Sequence, residues 1–212
     1  MKILVVGASN GVGLATVKEA LSQGHSVRGF SRSIERLPFS ADGFEKVTGD
    51  ALNASDVKGA LEGVDVVIQT LGVPFDLKMI TGPVSLFSEA TAILTPIMEK
   101  TGPKRLVALT GFGAGESKRA VGLLQRAPFF AVFGRAYDDK SKQERIIKSS
   151  RLDWTIARPG VLSNGPCTEN YKVLYEPNEW RNGIVARAEV AHYLVRAVGE
   201  NAEIGREPVL VG

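Results

Sequence analysis

The sequence predicts an α/β domain: a doubly wound parallel β-sheet flanked by helices, with residues 1–212 forming one unit. Three observations predict it. Short apolar runs of strand length alternate with helical patterns along the whole chain. The first run breaks directly into a glycine-rich turn that opens an amphipathic segment. No linker, repeat or low-complexity stretch divides the chain.

Ile3 to Val6 is continuously apolar, the pattern of a strand covered on both faces. It runs into Gly7-Ala8-Ser9-Asn10-Gly11-Val12-Gly13, spaced G-x-x-x-G-x-G. A glycine at the strand end permits a tight turn and positive φ. Gly11 and Gly13 lack side chains where a diphosphate and the strand backbone must come close. The N–H groups and positive dipole end of the next helix then face that diphosphate. This is the beginning of a dinucleotide-binding βαβ unit in a Rossmann-type fold.

After Gly13, the residues Leu14, Val17, Ala20 and Leu21 share one helical face, and Gly24 is placed to end the helix. His25 to Ser31 reads as the second strand. NAD-preferring folds usually carry a carboxylate about 20 residues beyond the glycine loop, bonded to the ribose 2′-OH. Here the strand ends Gly29-Phe30-Ser31-Arg32-Ser33, with no acid before Glu35. Ser31, Arg32 and Ser33 suit a 2′-phosphate instead, with Arg32 supplying charge-assisted hydrogen bonds. NADP(H) is therefore favoured and NAD(H) is the alternative.

Phe44 to Thr48 is a third strand, followed by Gly49-Asp50-Ala51. Asp50 either accepts from an adenine amino group or caps the helix that starts near Asn53. A short helix covers Val57 to Leu61, and Val64 to Leu71 is the fourth strand, with Leu71-Gly72 beside the expected cofactor path. Leu86, Ala90, Ile93, Leu94, Ile97 and Met98 form a helical stripe, in which Pro96 predicts a kink or break. Arg105 to Thr110 is the fifth strand and leads into a glycine-rich loop. Residues 116–136 interleave Lys118, Arg119, Arg126 and Arg135 with apolar stretches ending in Phe129-Phe130-Ala131-Val132-Phe133. They read either as a lid over a substrate pocket or, more simply, as a helix or loop packed on the body. Asp138 to Ser150 is helical, with acids in the first turn. Leu152 to Arg158 is the sixth strand, running on into Pro159-Gly160-Val161. Residues 162–184 read as loop, Arg187 to Val198 as the last helix, and Pro208 to Val211 as a final strand. Substrate-side loops are thus expected around 111–137 and 162–184.

Composition narrows the function classes. Apolar residues make up 44% and charged residues 23%, ordinary for a soluble globular protein. The net charge of +3 suits anionic ligands, yet no basic block or aromatic-interleaved stripe points to nucleic acid. One cysteine, Cys167, excludes an intrachain disulfide framework and a cysteine zinc site, and two histidines leave little scope for a metal. Nothing near Cys167 in the sequence lowers its thiol pKa. The N-terminal apolar run is too short for a signal-peptide core and no stretch is long enough to span a membrane, so a cytoplasmic protein is expected. The expected partner is a small-molecule substrate, with a monomer or homodimer as the working unit.

The glycine turn, Asp50-Ala51, the Thr110-Gly111 strand end, Asp139-Lys140-x-x-Gln143-Glu144 and Leu152-Asp153-Trp154-Thr155-Ile156-x-Arg158-Pro159-Gly160 occur together and in order. In this the chain resembles an atypical short-chain dehydrogenase/reductase, of the single-domain group that includes NmrA-like regulators and biliverdin/flavin reductases. The resemblance implies that Lys140 sits near a nicotinamide ribose, that Pro159-Gly160-Val161 runs beside the nicotinamide, and that Thr110 stands at the position of a catalytic Ser or Thr. One departure is plain. The usual acid is a Tyr four residues before the Lys, whereas Ala136 occupies that position and Tyr137 lies three before. On a helix a three-residue offset rotates about −60° and a four-residue offset about +40°, so the Tyr137 hydroxyl is displaced from the usual place. Tyr137 is either the proton donor or a packing residue at the helix entry. Two functions follow: an NADPH-dependent reductase of a small electron-poor acceptor (flavin, quinone or carbonyl), or a non-catalytic NADP(H)-binding redox sensor. A nucleotide-sugar epimerase or dehydratase is a weaker third, since those enzymes usually carry a longer substrate domain.

Overall fold

The computed structural model describes residues 1–73 and 82–212, the side chains of 123–125 excepted. Its strands are β1 (Lys2–Val6), β2 (Ser26–Ser31), β3 (Phe44–Thr48), β4 (Val66–Gln69), β5 (Arg105–Leu109), β6 (Asp153–Pro159), β7 (Val161–Ser163), β8 (Lys172–Leu174), β9 (Ile184–Ala186) and β10 (Val209–Val211). Its helices are α1 (Gly11–Ser22), α2 (Ala54–Leu61), α3 (Leu86–Thr101), α4 (Leu123–Ser149) and α5 (Arg187–Gly199).

Eight strands form one sheet in the order β3-β2-β1-β4-β5-β6-β10-β8, parallel except for the antiparallel β10–β8 pair. The chain moves outward from β1 through β2 to β3, then crosses back to place β4 on the other side of β1. Val6 is in register with both Phe30 and Gln69, so the carboxyl ends of β2, β1 and β4 are level at that reversal. In open α/β sheets the ligand crevice lies outside this switch point.

Alternation along β1 explains its unbroken apolar run. Ile3 and Val5 pack on one face with Val17 of α1 and Val190 and Leu194 of α5. Leu4 and Val6 pack on the other with Val57 of α2, Leu94 and Met98 of α3 and Ile147 of α4. Successive side chains of a strand point to opposite faces, and here both faces are covered.

The fold departs from the sequence reading in four places. The helix expected from Asp138 begins at Leu123 and runs to Ser149, with Pro128 inside it. Pro128 forfeits the bond to the carbonyl four residues back. The turns around and beyond it are held instead by edge-to-face packing, Phe129 against Phe130 at 5.1 Å and against Tyr137 at 4.8 Å between ring centroids. Pro96 does not break α3, which is continuous from Leu86 to Thr101. Residues 162–184 are not all loop. They carry β8 on the sheet edge and the parallel β7–β9 pair, three-residue strands too short to show alternation. Finally, the cap of α2 is Asn53, whose side chain accepts from Ser55 and Asp56 N–H, so Asp50 is not the helix cap.

Candidate active site

The turn after β1 is shaped by two backbone approaches. Gly7 has φ +91°, and its N–H donates to Phe30 O at 2.9 Å. A Cβ on Gly13 would lie 2.0 Å from Gly7 O, so any side chain there would collide with the strand end. Asn10 caps α1, its Oδ1 accepting from Gly11 N–H at 2.7 Å. Among the described residues, the N–H groups of Val12 and Gly13 have no backbone acceptor. The first turn of α1 thus offers free donors at its positive dipole end.

A single cavity of about 890 Å³ runs from this turn across the carboxyl ends of β2, β1, β4, β5 and β6. Gly7, Ser9, Asn10, Gly11 and Val12 line its floor. Ala8 and Gly13 do not line it: Ala8 is wholly buried in the core, and Gly13 serves the turn. At the β2 end lie Ser31, Arg32, Asp50 and Ala51. The Ser31 Oγ is buried without a hydrogen-bond partner among the described residues. Arg32 is exposed and has no ion-pair partner among them. Asp50 Oδ1 accepts from Leu52 N–H at 3.0 Å, an Asx-type turn that fixes the carboxylate at the rim. Leu71 and Gly72 line the middle, and Pro159, Gly160 and Val161 the side formed by β6 and β7.

Lys140, Thr110 and Tyr137 meet at the far end. The Lys140 ammonium donates to Thr110 O at 2.6 Å and lies 4.5 Å from the centre of the Phe87 ring. Burial pulls its pKa down to about 8, while Glu144 and Asp139 oppose that shift. Lys140 and Glu144 stand four residues apart on α4, yet no ion pair between them is found among the described residues. The two share a face, on which Lys140 reaches Thr110 O at the cavity while Glu144 is buried beside Arg158 of β6.

Glu144 has a different task. It is buried, and both its oxygens bond the guanidinium of Arg158, Nε to Oε1 at 3.0 Å and Nη2 to Oε2 at 2.7 Å. Its Oε1 also accepts from Thr110 Oγ1 at 2.8 Å. A hydroxyl has one hydrogen, so Thr110 in this arrangement presents only lone pairs to the cavity. Asp139 anchors the opposite side of α4, accepting from Phe87 N–H at 2.9 Å and from the Ser88 hydroxyl.

Tyr137 is not at a helix entry. It sits in the middle of α4, facing the cavity with its hydroxyl against Gly111. Burial raises its phenol pKa to about 12, keeping it protonated. Phe129 and Phe133 continue the wall beside it, so the aromatic segment is both a packed helix and a cavity lining. Cys167 does not line the cavity, and burial raises its thiol pKa. Sequence reasoning missed Glu144 as the buried hub and Arg187 as a cavity residue. Glu144 stood within a recognised motif, whereas Arg187 carried no signal beyond opening the last helix.

Residues 7–201 match the family model described as NAD(P)H-binding. The chain belongs to the NAD(P)H-binding family. The resemblance to atypical short-chain dehydrogenases/reductases read from the motifs agrees with this membership. Within the family's wider kin, the chain is 28% identical over 203 residues to an uncharacterised chloroplast protein of Arabidopsis thaliana, covering 93% of this chain and 71% of that one. It is 25% identical over 206 residues to the photosystem II assembly factor Ycf39 of Synechocystis, covering 93% of this chain and 58% of that one. Among solved structures, ChuY, an anaerobillin reductase from Escherichia coli O157:H7, superposes with a TM-score of 0.82 at 26% identity, covering 100% and 97% of the two chains. No described helix is long and apolar enough to cross a membrane.

Proposed function

We propose that this protein is an NADPH-dependent reductase of a flat, conjugated, electron-poor acceptor. The carrying observation is the continuity of the cavity, with a phosphate-ready end and a reactive end in one space of about 890 Å³. The residues present fit the cofactor. The Val12 N–H suits a diphosphate, and Ser31 Oγ and Arg32, without a hydrogen-bond or ion-pair partner respectively among the described residues, suit a ribose 2′-phosphate. When bound, the dinucleotide would supply a hydride from its nicotinamide.

The chain's own residues then divide the work. Thr110, its hydrogen committed to Glu144, accepts from a donor in the cavity. The Lys140 ammonium, tethered to the Thr110 carbonyl, orients hydroxyls nearby and holds positive charge where an anion develops. Tyr137 is the phenol that remains protonated at neutral pH, and with Lys140 it is a proton source at this end. Phe129 and Phe133 offer ring faces and edges to a planar acceptor and exclude water from its surface.

The similarity to an anaerobillin reductase makes anaerobillin the first acceptor to try, beside flavins and quinones. NADPH oxidation by the purified protein against this panel is the test, with NADPH affinity measured in the same buffer. Turnover that collapses in Lys140→Ala supports the reductase. The displaced Tyr137 favours a second reading, a cofactor-binding sensor. Tight NADPH binding without turnover on any acceptor would select it.

A further inference from the structure

We infer that Arg187, the first residue of α5, is a ligand of the dinucleotide diphosphate, clamping it beside the glycine turn. The inference rests on the dinucleotide-binding reading and goes beyond it. No glycine-turn motif contains this residue, which comes from the other end of the chain.

Four observations converge. Arg187 lines the cavity, and its Nε lies 4.0 Å from where a Gly11 side chain would begin. Gly11 has φ +55°, and a Cβ there would meet Arg187 Nε alone, at ordinary contact distance, so guanidinium and turn are direct neighbours. Among the described residues, the guanidinium is held in place by neutral oxygens. Its Nη1 donates to Ser163 O at 3.1 Å and to Asn164 Oδ1 at 2.7 Å. Among the described residues it has no carboxylate partner, unlike Arg28, which pairs with Glu45, and Arg158, which pairs with Glu144 and Glu207.

A guanidinium carries five N–H donors. Nη1 serves the two oxygens named, which leaves Nε–H and the Nη2 hydrogens for the cavity. A partly buried cation without a counter-charge is lowered in energy by an anion within reach. The N-terminal end of α1, with the Val12 amide that has no backbone acceptor among the described residues, lines the same cavity beside Gly11. A diphosphate bridging the two would neutralise Arg187 and engage the Val12 amide together, and a planar fork suits its paired oxygens better than an ammonium does. Local structure supports the placement. The Ala186 N–H donates to Glu189 Oε2 at 3.1 Å, fixing where α5 begins, and α5 packs against α1, which carries the turn.

Arg187 therefore acts on the part common to NADPH and NADH, whereas Arg32 is placed for the 2′-phosphate alone. Calorimetric titration with NADPH, NADH and adenosine 2′-monophosphate, which lacks a diphosphate, separates these roles. Arg187→Ala is expected to weaken NADPH and NADH by the same factor, roughly 10- to 100-fold, as loss of a charged hydrogen bond implies. Adenosine 2′-monophosphate should bind this variant as it binds the wild type, which also shows that the fold and the Ser31 end are intact. Arg32→Ala should show the reverse pattern, losing NADPH and adenosine 2′-monophosphate but keeping NADH. Arg187→Lys, which keeps the charge without the fork, should fall between wild type and Ala for both dinucleotides. An Arg187→Ala variant that binds NADPH within twofold of wild type overturns the assignment. So does a variant that loses adenosine 2′-monophosphate in parallel with NADPH. A wild-type protein that binds neither dinucleotide overturns the dinucleotide reading itself, and the inference with it.

Discussion

Replacing Glu144 by Ala removes the acceptor for three hydrogen bonds in one buried place, from Arg158 Nε, Arg158 Nη2 and Thr110 Oγ1. The side chains of Arg158 and Glu144 are 0% and 1% exposed, so water cannot take over these bonds without an opening of the fold. Breaking a buried ion pair by deleting one partner costs about 3–5 kcal/mol. Arg158 would keep Glu207, whose Oε2 lies 2.8 Å from Nη2 and whose main-chain oxygen lies 3.3 Å from Nη1. The stranded charge is thus half-compensated, which places the loss near the lower end, about 3 kcal/mol. For a chain of this length that corresponds to a melting temperature roughly 6–12 °C lower. Scanning calorimetry and urea unfolding followed by circular dichroism would measure it. Asp138→Ala is the control, because its pair with Lys118 at 2.9 Å is exposed on both sides and should contribute about 0–1 kcal/mol. A Glu144→Ala protein no less stable than Asp138→Ala would refute the reasoning that this cluster holds β5, α4 and β6 together.

The remaining predictions concern the turn and the reactive end. Lys140 titrates near about 8 in the fold against 10.5 in its ordinary state, so between those values the unfolded chain binds more protons. Its contribution to stability therefore rises with pH from about 8 to 10.5, and urea unfolding of Lys140→Met at pH 7 and pH 10 should lack that rise. An unchanged rise would assign it to other groups. Gly13→Ala should fail to give folded protein, since its methyl group meets the Gly7 carbonyl at 2.0 Å. A Cβ on Gly11 would meet only Arg187 Nε, at an ordinary 4.0 Å, so Gly11→Ala should cost only about 1–2 kcal/mol for its positive φ, and equal losses in the two would discount the collision. Tyr137→Phe should leave NADPH affinity within twofold and lower kcat about 10²-fold or more, in line with general acid catalysis. A loss confined to KM would instead make the phenol an acceptor-binding group.

What was legible in the sequence was whatever repeats at short range. The apolar run of β1 with Gly7, Gly11 and Gly13 behind it announced strand, turn and helix, because each residue type answers a local backbone demand. That Ser31, Arg32 and Lys140 would line one cavity was legible from their places at strand ends and in the motif. The three-residue strands β7, β8 and β9 were not, because no period fits into three residues. The start of α4 was hidden by Pro128, since the packing of Phe129 on Phe130 and Tyr137 is a tertiary fact that overrides a local breaker.

The deeper limit shows at Glu144 and Arg187, whose roles depend on what stands across from them. Four-residue spacing correctly put Lys140 and Glu144 on one face of a helix, yet whether that face meets water or β5 and β6 is decided by the sheet order, and burial reverses the meaning of the pair. In solvent the two would have joined each other. Against the sheet, each finds a partner from a different strand: Lys140 the carbonyl of Thr110, and Glu144 the guanidinium of Arg158 with the hydroxyl of Thr110. Both bonds converge on Thr110, one at its main chain and one at its side chain. In this arrangement Thr110 presents lone pairs to the cavity, and under the proposed reductase reading proton donation would fall to Tyr137 and Lys140.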